Sequence, residues 1–485
     1  MGFRMTDHLG HLVGDVIPFY DSDTSTYHLF YLRGHQEGFG LARFDTPWAH
    51  QSTKDWKTMT LHPDAISKGA VGSYDDGACF TGCVIKHDQT YYLFYTSFSF
   101  FPDKSRETIC LATSKDGVHF EKYEGNPILK PDYVIYGASD DFRDPYVWYD
   151  EEEKCWKMAF VAGLMDCPCA TRRGSVALAV SRDLLHWELR KPLYAPRIFP
   201  SLECPDVFRM GEWYYLLFSQ FGRTEYRMSR SADGPWQMPA RPCFDCGEYF
   251  FYAAKTLFDG RRRLLIGWCG ELKDQQDGHA ALWGGTMVTP REIRQDEATG
   301  ELYLVCPEEL SIHGAGEKHR FRNVFTGEKR ETDRLVIGHS EAFDAWLIEE
   351  SACEGYRLAV STQTTAGTGN FGIILRADGG LGNCYLLEIN RATGMMLFKR
   401  YASRSLFSGD TVNMDIVLAE KRITKMAENL DIEIHFEKQI VEIFAGRTVM
   451  TVPVAEQLSG FVGFFAAYGE TAFTNLHLEM QKQLD

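Results

Sequence analysis

The chain has 485 residues, a globular apolar fraction and a formal net charge of −16. That length exceeds one ordinary core and predicts two domains. The acidic balance, without a long basic run, excludes nucleic acid and anionic membrane as partners, and no stretch of about 18 apolar residues is present to cross a bilayer.

The opening Met1-Gly2-Phe3-Arg4-Met5-Thr6-Asp7-His8 lacks the apolar core of a signal peptide. The 13 cysteines are odd in number and scattered, which fits a reducing compartment. A cytoplasmic protein acting on a small imported substrate is the expectation. From there an aromatic-rich strand recurs about every 50–65 residues. Its copies are Tyr27-His28-Leu29-Phe30-Tyr31, Tyr91-Tyr92-Leu93-Phe94-Tyr95, Trp156-Lys157-Met158-Ala159-Phe160, Tyr214-Tyr215-Leu216-Leu217-Phe218 and Arg263-Leu264-Leu265-Ile266-Gly267. Four copies are followed by a turn and an aromatic: Ser52 to Trp56, Ser114 to Phe120, Ser181 to Trp187 and Ser231 to Trp236. Strands repeated at this period predict a five-bladed β-propeller over 1–310, closed so that no edge is left open. A polar, Gly-containing junction over 311–325 follows. Alternating strands then predict a β-sandwich over 326–485, with a brief helical stretch near Leu418–Asn429. The sandwich is expected to pack on the propeller or to make homodimer contacts.

Three acids stand early in their blades: Asp15 in Gly14-Asp15-Val16-Ile17-Pro18, Asp144 in Arg143-Asp144-Pro145, and Glu203 in Glu203-Cys204-Pro205. Side chains at such positions converge on a central channel. Cleaving a glycosidic bond needs one carboxyl to protonate the leaving oxygen and another to attack the anomeric carbon or activate water. A third can stabilise the cationic transition state. An Asp at a strand start also serves as a plain turn former, and Asp206 is read that way.

These segments resemble glycoside hydrolase family 32, the invertases, inulinases and levanases. Arg143-Asp144-Pro145 resembles the family's Arg-Asp-Pro motif, and Glu203-Cys204-Pro205 its Glu-Cys-Pro motif. Asp76-Gly77-Ala78-Cys79-Phe80-Thr81-Gly82 resembles its Gly-x-x-Ser-Gly segment, with Thr81 for Ser. Phe251-Tyr252-Ala253-Ala254-Lys255-Thr256-Leu257 and Trp283 to Glu292 resemble two later segments. The resemblance implies a retaining exo-glycosidase on β-fructofuranosides that needs no metal or other cofactor. It implies Asp15 as nucleophile, Asp144 as transition-state stabiliser and Glu203 as acid/base. One departure is clear: the family's Trp-Met-Asn-Asp-Pro-Asn-Gly is here Val13-Gly14-Asp15-Val16-Ile17-Pro18-Phe19. The Asn neighbours that contact the fructosyl unit are missing, with Val16, Ile17 and Phe19 in their region. Fewer hydroxyl contacts imply short fructo-oligosaccharides or an unusual fructoside rather than plain sucrose. Two alternatives stay open: an inverting arabinofuranosidase or xylosidase of the family 43 kind, and a non-catalytic sugar-binding propeller.

Substrate-binding candidates are Arg143, Phe80, Thr81, His35, Tyr252 and Trp283. Arg143 is expected to keep Asp144 ionised, and Arg33 to clamp a hydroxyl or phosphate. Trp48, His50, Phe98, Phe100 and Phe101 are further candidates for sugar platforms. Cys243-Phe244-Asp245-Cys246 has metal-ligand spacing, but Cys167-Pro168-Cys169 does not complete a zinc set and no His pair is at hand.

Overall fold

The structure, a computed structural model, describes residues 7–34, 44–100, 105–314, 316–351, 355–365, 367–407, 410–455 and 460–480. It is nearly all β. Two compact units divide it. One runs to Glu271 and takes up Leu282–Tyr303; the other holds Leu272–Ala281 and Leu304 onward.

The first unit is a β-propeller. Leu12–Asp21, Thr26–Gly34, Trp48–Thr53 and Thr60–Ile66 form one antiparallel meander, and Ala78–His87 to Glu121–Lys122, Phe142–Asp150 to Glu188–Tyr194, and Glu203–Met210 to Arg223–Ser229 form three more sheets. The strands from Tyr252–Phe258 to Leu302–Val305 join the first meander in one nine-stranded sheet, closed where Val13 of Leu12–Asp21 pairs with Gly285 of Ala281–Met287. The first strands of the meanders are neighbours in turn, and Tyr252–Phe258 lies beside Leu12–Asp21 again.

The recurring aromatic segments are the second strands. Their side chains alternate between two different cores because successive residues of a strand face opposite ways. In Thr90–Phe98, Phe94 joins Phe142, Met158 and Phe160, whereas Leu93 and Tyr95 join Ile17, Phe30 and Trp48. Each such side chain, fully buried, contributes about 1.5–3 kcal/mol. The Ser/Asp turns are built alike. Ser114 Oγ accepts from Gly117 N at 3.0 Å and Asp116 Oδ1 from His119 N at 2.8 Å; Ser181 and Asp183 do the same for Leu184 and His186.

The second unit is a β-sandwich fold built around the strand Phe461–Met480. Its first half pairs with Asn370–Ala377 and its second with Tyr356–Thr364. The change falls at Tyr468 and Gly469, both at positive φ. Two local expectations are corrected here. His319–Asn323, inside the segment read as a junction, is a strand paired with Lys329–Thr332. The stretch read as helical near Leu418–Asn429 is the end of the strand Asp410–Arg422 followed by a turn. Pairing with Met395–Phe407 overrides its modest helix propensity.

Candidate active site

Every first strand of the propeller carries a β-bulge near its beginning. Gly14 and Asp15 together stand opposite one residue of Thr26–Gly34, and Thr81 is the extra residue of Ala78–His87. Asp144 with Pro145, Cys204 with Pro205, and Ala253 with Ala254 repeat the arrangement. Asp144, Cys204 and Ala253 have positive φ there. A bulge re-aims one side chain out of the ladder, and here it sets the candidate acids together.

Asp15 is gripped at both oxygens. Thr81 Oγ donates to Oδ2 at 2.5 Å and Trp268 Nε1 to Oδ1 at 3.0 Å. Burial pushes its carboxyl up, and the two donors oppose that by favouring the ionised form. Cys204 bridges two acids: its Sγ lies 3.9 Å from Asp15 Oδ2 and 3.7 Å from Asp144 Oδ2, and its N–H donates to Asp144 at 2.9 Å. The backbone N–H of Asp144 donates to Thr96 Oγ at 2.8 Å, and that hydroxyl donates to the Thr81 carbonyl. Glu203 is held by Arg143 Nη2 at 2.9 Å and by the Tyr252 hydroxyl.

Arg143 differs from expectation. Its guanidinium serves Glu107, Asp141, Ser201 and Glu203, and only Nε faces Asp144, at 3.8 Å. Arg143 therefore does not hold Asp144 in the ordinary carboxylate range. Burial first, then the charges of Asp15 and Glu203, push its carboxyl up to about 7 against the pull of Arg143.

Of the candidates, Asp15, Thr81, Arg143, Asp144, Glu203 and Tyr252 are brought together directly. Trp283 packs edge-on to Trp268 at 6.2 Å and lies against Gly14, where a Cβ would stand 2.4 Å from its ring. Phe80 flanks Thr81 and joins Phe44 and Phe98 in a phenylalanine cluster. His35 and Phe101 lie outside the described residues. Several other readings are corrected. Val16 and Ile17 are buried in the core and Phe19 packs on Tyr91, so none of them lines a subsite. Arg33 is committed to Asp7 and Asp64 at 2.8 Å each. Trp48 and His50 are core residues, and Phe98 is nearly so. Asp206 is no turn former: it is buried in its strand and accepts from Thr256 N at 2.6 Å, tying two sheets together. Sequence reasoning missed Trp268, Glu107, Asp141 and Ser201. Trp268 alone had a signal, since it directly follows the fifth strand repeat.

Among the described residues, one trio is suited to a metal, Cys306, Glu433 and His435, and it belongs to the other unit. Arg357 Nη2 stands 3.6 Å from Glu433 and 3.3 Å from His435 Nε2, so a cation already faces both.

Against this geometry, the model of the glycosyl hydrolases family 32 N-terminal domain matches residues 18–306, and that of the family 32 C-terminal domain matches 325–479. The chain belongs to glycosyl hydrolase family 32. It is a glycoside hydrolase whose Asp15 falls just before the matched stretch, so that residue rests on geometry. Among its relatives, raffinose invertase of Escherichia coli is 29% identical over 346 residues, 65% of this chain and 68% of the relative. Sucrose-6-phosphate hydrolase of Escherichia coli is 31% identical over 338 residues, 64% of this chain and 66% of the relative. The family 32 chain thus aligns with about two thirds of the length of these curated relatives. Fructan 1-exohydrolase IIa of Cichorium intybus shares its fold at a TM-score of 0.73 and 18% identity, covering 99% of this chain and 97% of that one. Exo-inulinase of Aspergillus awamori does so at 0.72 and 17%, covering 100% and 98%.

Proposed function

We propose that this family 32 chain removes terminal β-fructofuranosyl units with retention, Asp15 attacking the anomeric carbon, Glu203 acting as acid/base and Asp144 stabilising the transition state. The observation that carries the reading is the convergence of three carboxyls from three bulged strands, each tied to the next through Cys204 or Arg143. Thr81 and Trp268 hold Asp15 in one orientation, as a nucleophile requires. The Tyr252 hydroxyl and Arg143 fix the Glu203 carboxyl. Five neighbouring first strands in a closed round support a five-bladed propeller.

The substrate reading is a short fructo-oligosaccharide rather than sucrose. The absence of Asn beside Asp15 supports it, because a subsite short of hydrogen-bond partners discriminates weakly for hydroxyls. The chicory fructan exohydrolase has been solved with 1-kestose, and a Bombyx mori β-fructofuranosidase variant with sucrose. The matched family models and named relatives give the family 43 alternative no support. The described residues contain no disulfide, which supports action in a reducing compartment.

The test is kcat/KM on a panel of fructosides, with NMR of the first-formed anomer, for wild type and Glu203→Gln. Retention and a loss of about 10²-fold or more in the variant are expected. An inverted first product, or a Glu203→Gln enzyme as active as wild type, overturns the assignment.

A further inference from the structure

Five apolar side chains stand exposed on adjoining loops of the propeller. Val134 is 78% exposed, Phe221 66% and Ile198 55%, with Met165 and Tyr133 partly so. The loops touch in sequence. Met165 N donates to the Ile135 carbonyl at 2.9 Å, Arg197 meets Asp166 at 2.9 Å, and the Phe199 ring lies 6.3 Å from Phe221. Gly222 O then accepts from Tyr249 N at 3.1 Å, and the Tyr249 ring packs at a tilt, 4.6 Å away, on Tyr252, the residue that holds Glu203.

All of these loops leave their sheets at the end where the acids stand. Residues 131–141 run into the strand of Asp144, and 195–202 into Glu203. Residues 164–173 follow a strand whose end pairs with Phe142, and 221–222 follow one paired at Glu203↔Ser219.

The backbone adds a second, independent observation. Tyr133, Arg197 and Phe221 have φ of 56°, 56° and 46°, a region where Asn and Gly are favoured over bulky residues. Phe221 and Gly222 form the two-residue turn between Trp213–Gln220 and Arg223–Ser229, both at positive φ. Such a turn prefers Asn-Gly. A phenylalanine two-thirds exposed there serves neither the turn nor a core, and residues that break a local rule without a structural gain mark functional surfaces.

Chemistry fixes which part of a substrate meets this surface. The acid protonates the oxygen of the leaving group, so the rest of the substrate departs on the acid's side of the scissile bond. The loops are those flanking the strands of Glu203 and Asp144. We infer that this rim carries the distal sugar units of a fructo-oligosaccharide, those past the unit next to the scissile bond, their C–H faces lying against Phe221, Ile198, Met165 and Val134. The inference rests on the fructosidase reading above and names the surface that would read chain length.

The experiment compares kcat/KM on sucrose with that on an inulin-type ladder from trisaccharide to hexasaccharide. The proteins are wild type, Phe221→Asn, Ile198→Thr and the double variant. Phe221→Asn suits the turn, so its thermal midpoint should equal or exceed that of wild type. The double variant should lose about ten-fold on the tetrasaccharide and longer substrates, with sucrose changed by less than about two-fold. A ladder profile unchanged from wild type overturns the inference, and so does an equal loss on sucrose. A shift from dimer to monomer in sedimentation, without a chain-length effect, assigns the rim to contacts between copies and also overturns it. A wild type that cleaves no fructoside refutes the activity reading itself, and the inference falls with it.

Discussion

Replacing Asp144 with Asn should stabilise the fold while impairing turnover. Asp144 is buried, and its carboxyl sits at about 7 against an ordinary 3.8. Below about pH 4 the group is neutral in both the folded and unfolded states, and its contribution to stability is fully present. As pH rises toward and through 7 that contribution is lost, because the unfolded chain ionises freely and the folded one resists. About three pH units at about 1.36 kcal/mol each set a ceiling near 4 kcal/mol. The charge of Asp15 acts on the same carboxyl, so the gain expected at pH 8 is about half of that, near 2 kcal/mol. Asn keeps an oxygen to accept from Cys204 N and tolerates the positive φ of this position. Urea unfolding followed by tryptophan fluorescence at pH 4.5, 6, 7 and 8 measures the difference between variant and wild type. It should grow with pH and level off above 7. A difference that does not change with pH, or a variant less stable than wild type at pH 8, refutes the reasoning.

Thr81→Ala removes the 2.5 Å donor from Asp15 and should cut kcat by about ten-fold or more with little change in KM, whereas Thr81→Ser should restore it; steady-state kinetics decide. Gly14→Ala places a Cβ 2.4 Å from the Trp283 ring and should cost about 1–3 kcal/mol in unfolding experiments. His28, His50 and His62 stack in the first meander near Asp21, Lys86, Asp116 and His119, and burial first of all depresses His28 to about 4 and His50 to about 2. The unfolded chain takes up protons near pH 6.5, so each buried imidazole should cost about 2 kcal/mol between pH 8 and pH 5. His50→Phe should flatten that loss in thermal melts over the same range, and an unchanged slope would count against it.

The second strands were legible because their aromatics obey a period of two and recur with the blades. Asp15, Asp144 and Glu203 were legible because each begins a copy of the same element. What decides their chemistry was not. The Thr81 hydroxyl meets Asp15 across 66 residues and Trp268 meets it across 253, distances at which no local pattern speaks. Arg143 shows the same limit. Adjacency to Asp144 suggested a pair, but the bulge turns the two side chains apart and gives the guanidinium to Glu107, Asp141 and Glu203. Asp206 looked like a turn former because a Pro precedes it, yet that Pro belongs to a bulge and the acid to the core.

The bulges also act as mechanical clutches. Shifting an ordinary strand by one residue sends its whole apolar set to the wrong face. Here the ladder is already broken just inside each first strand, so the backbone ahead of the break is uncoupled from the paired segment behind it. Loops 131–141 and 195–202 can therefore gain or lose a residue without moving Val147 or Val207 out of their cores. The same insertion placed after Pro145 or Pro205 would turn those side chains outward and unfold the blade. A lineage built on this frame can rewrite its rim freely while the machinery beneath stays in register.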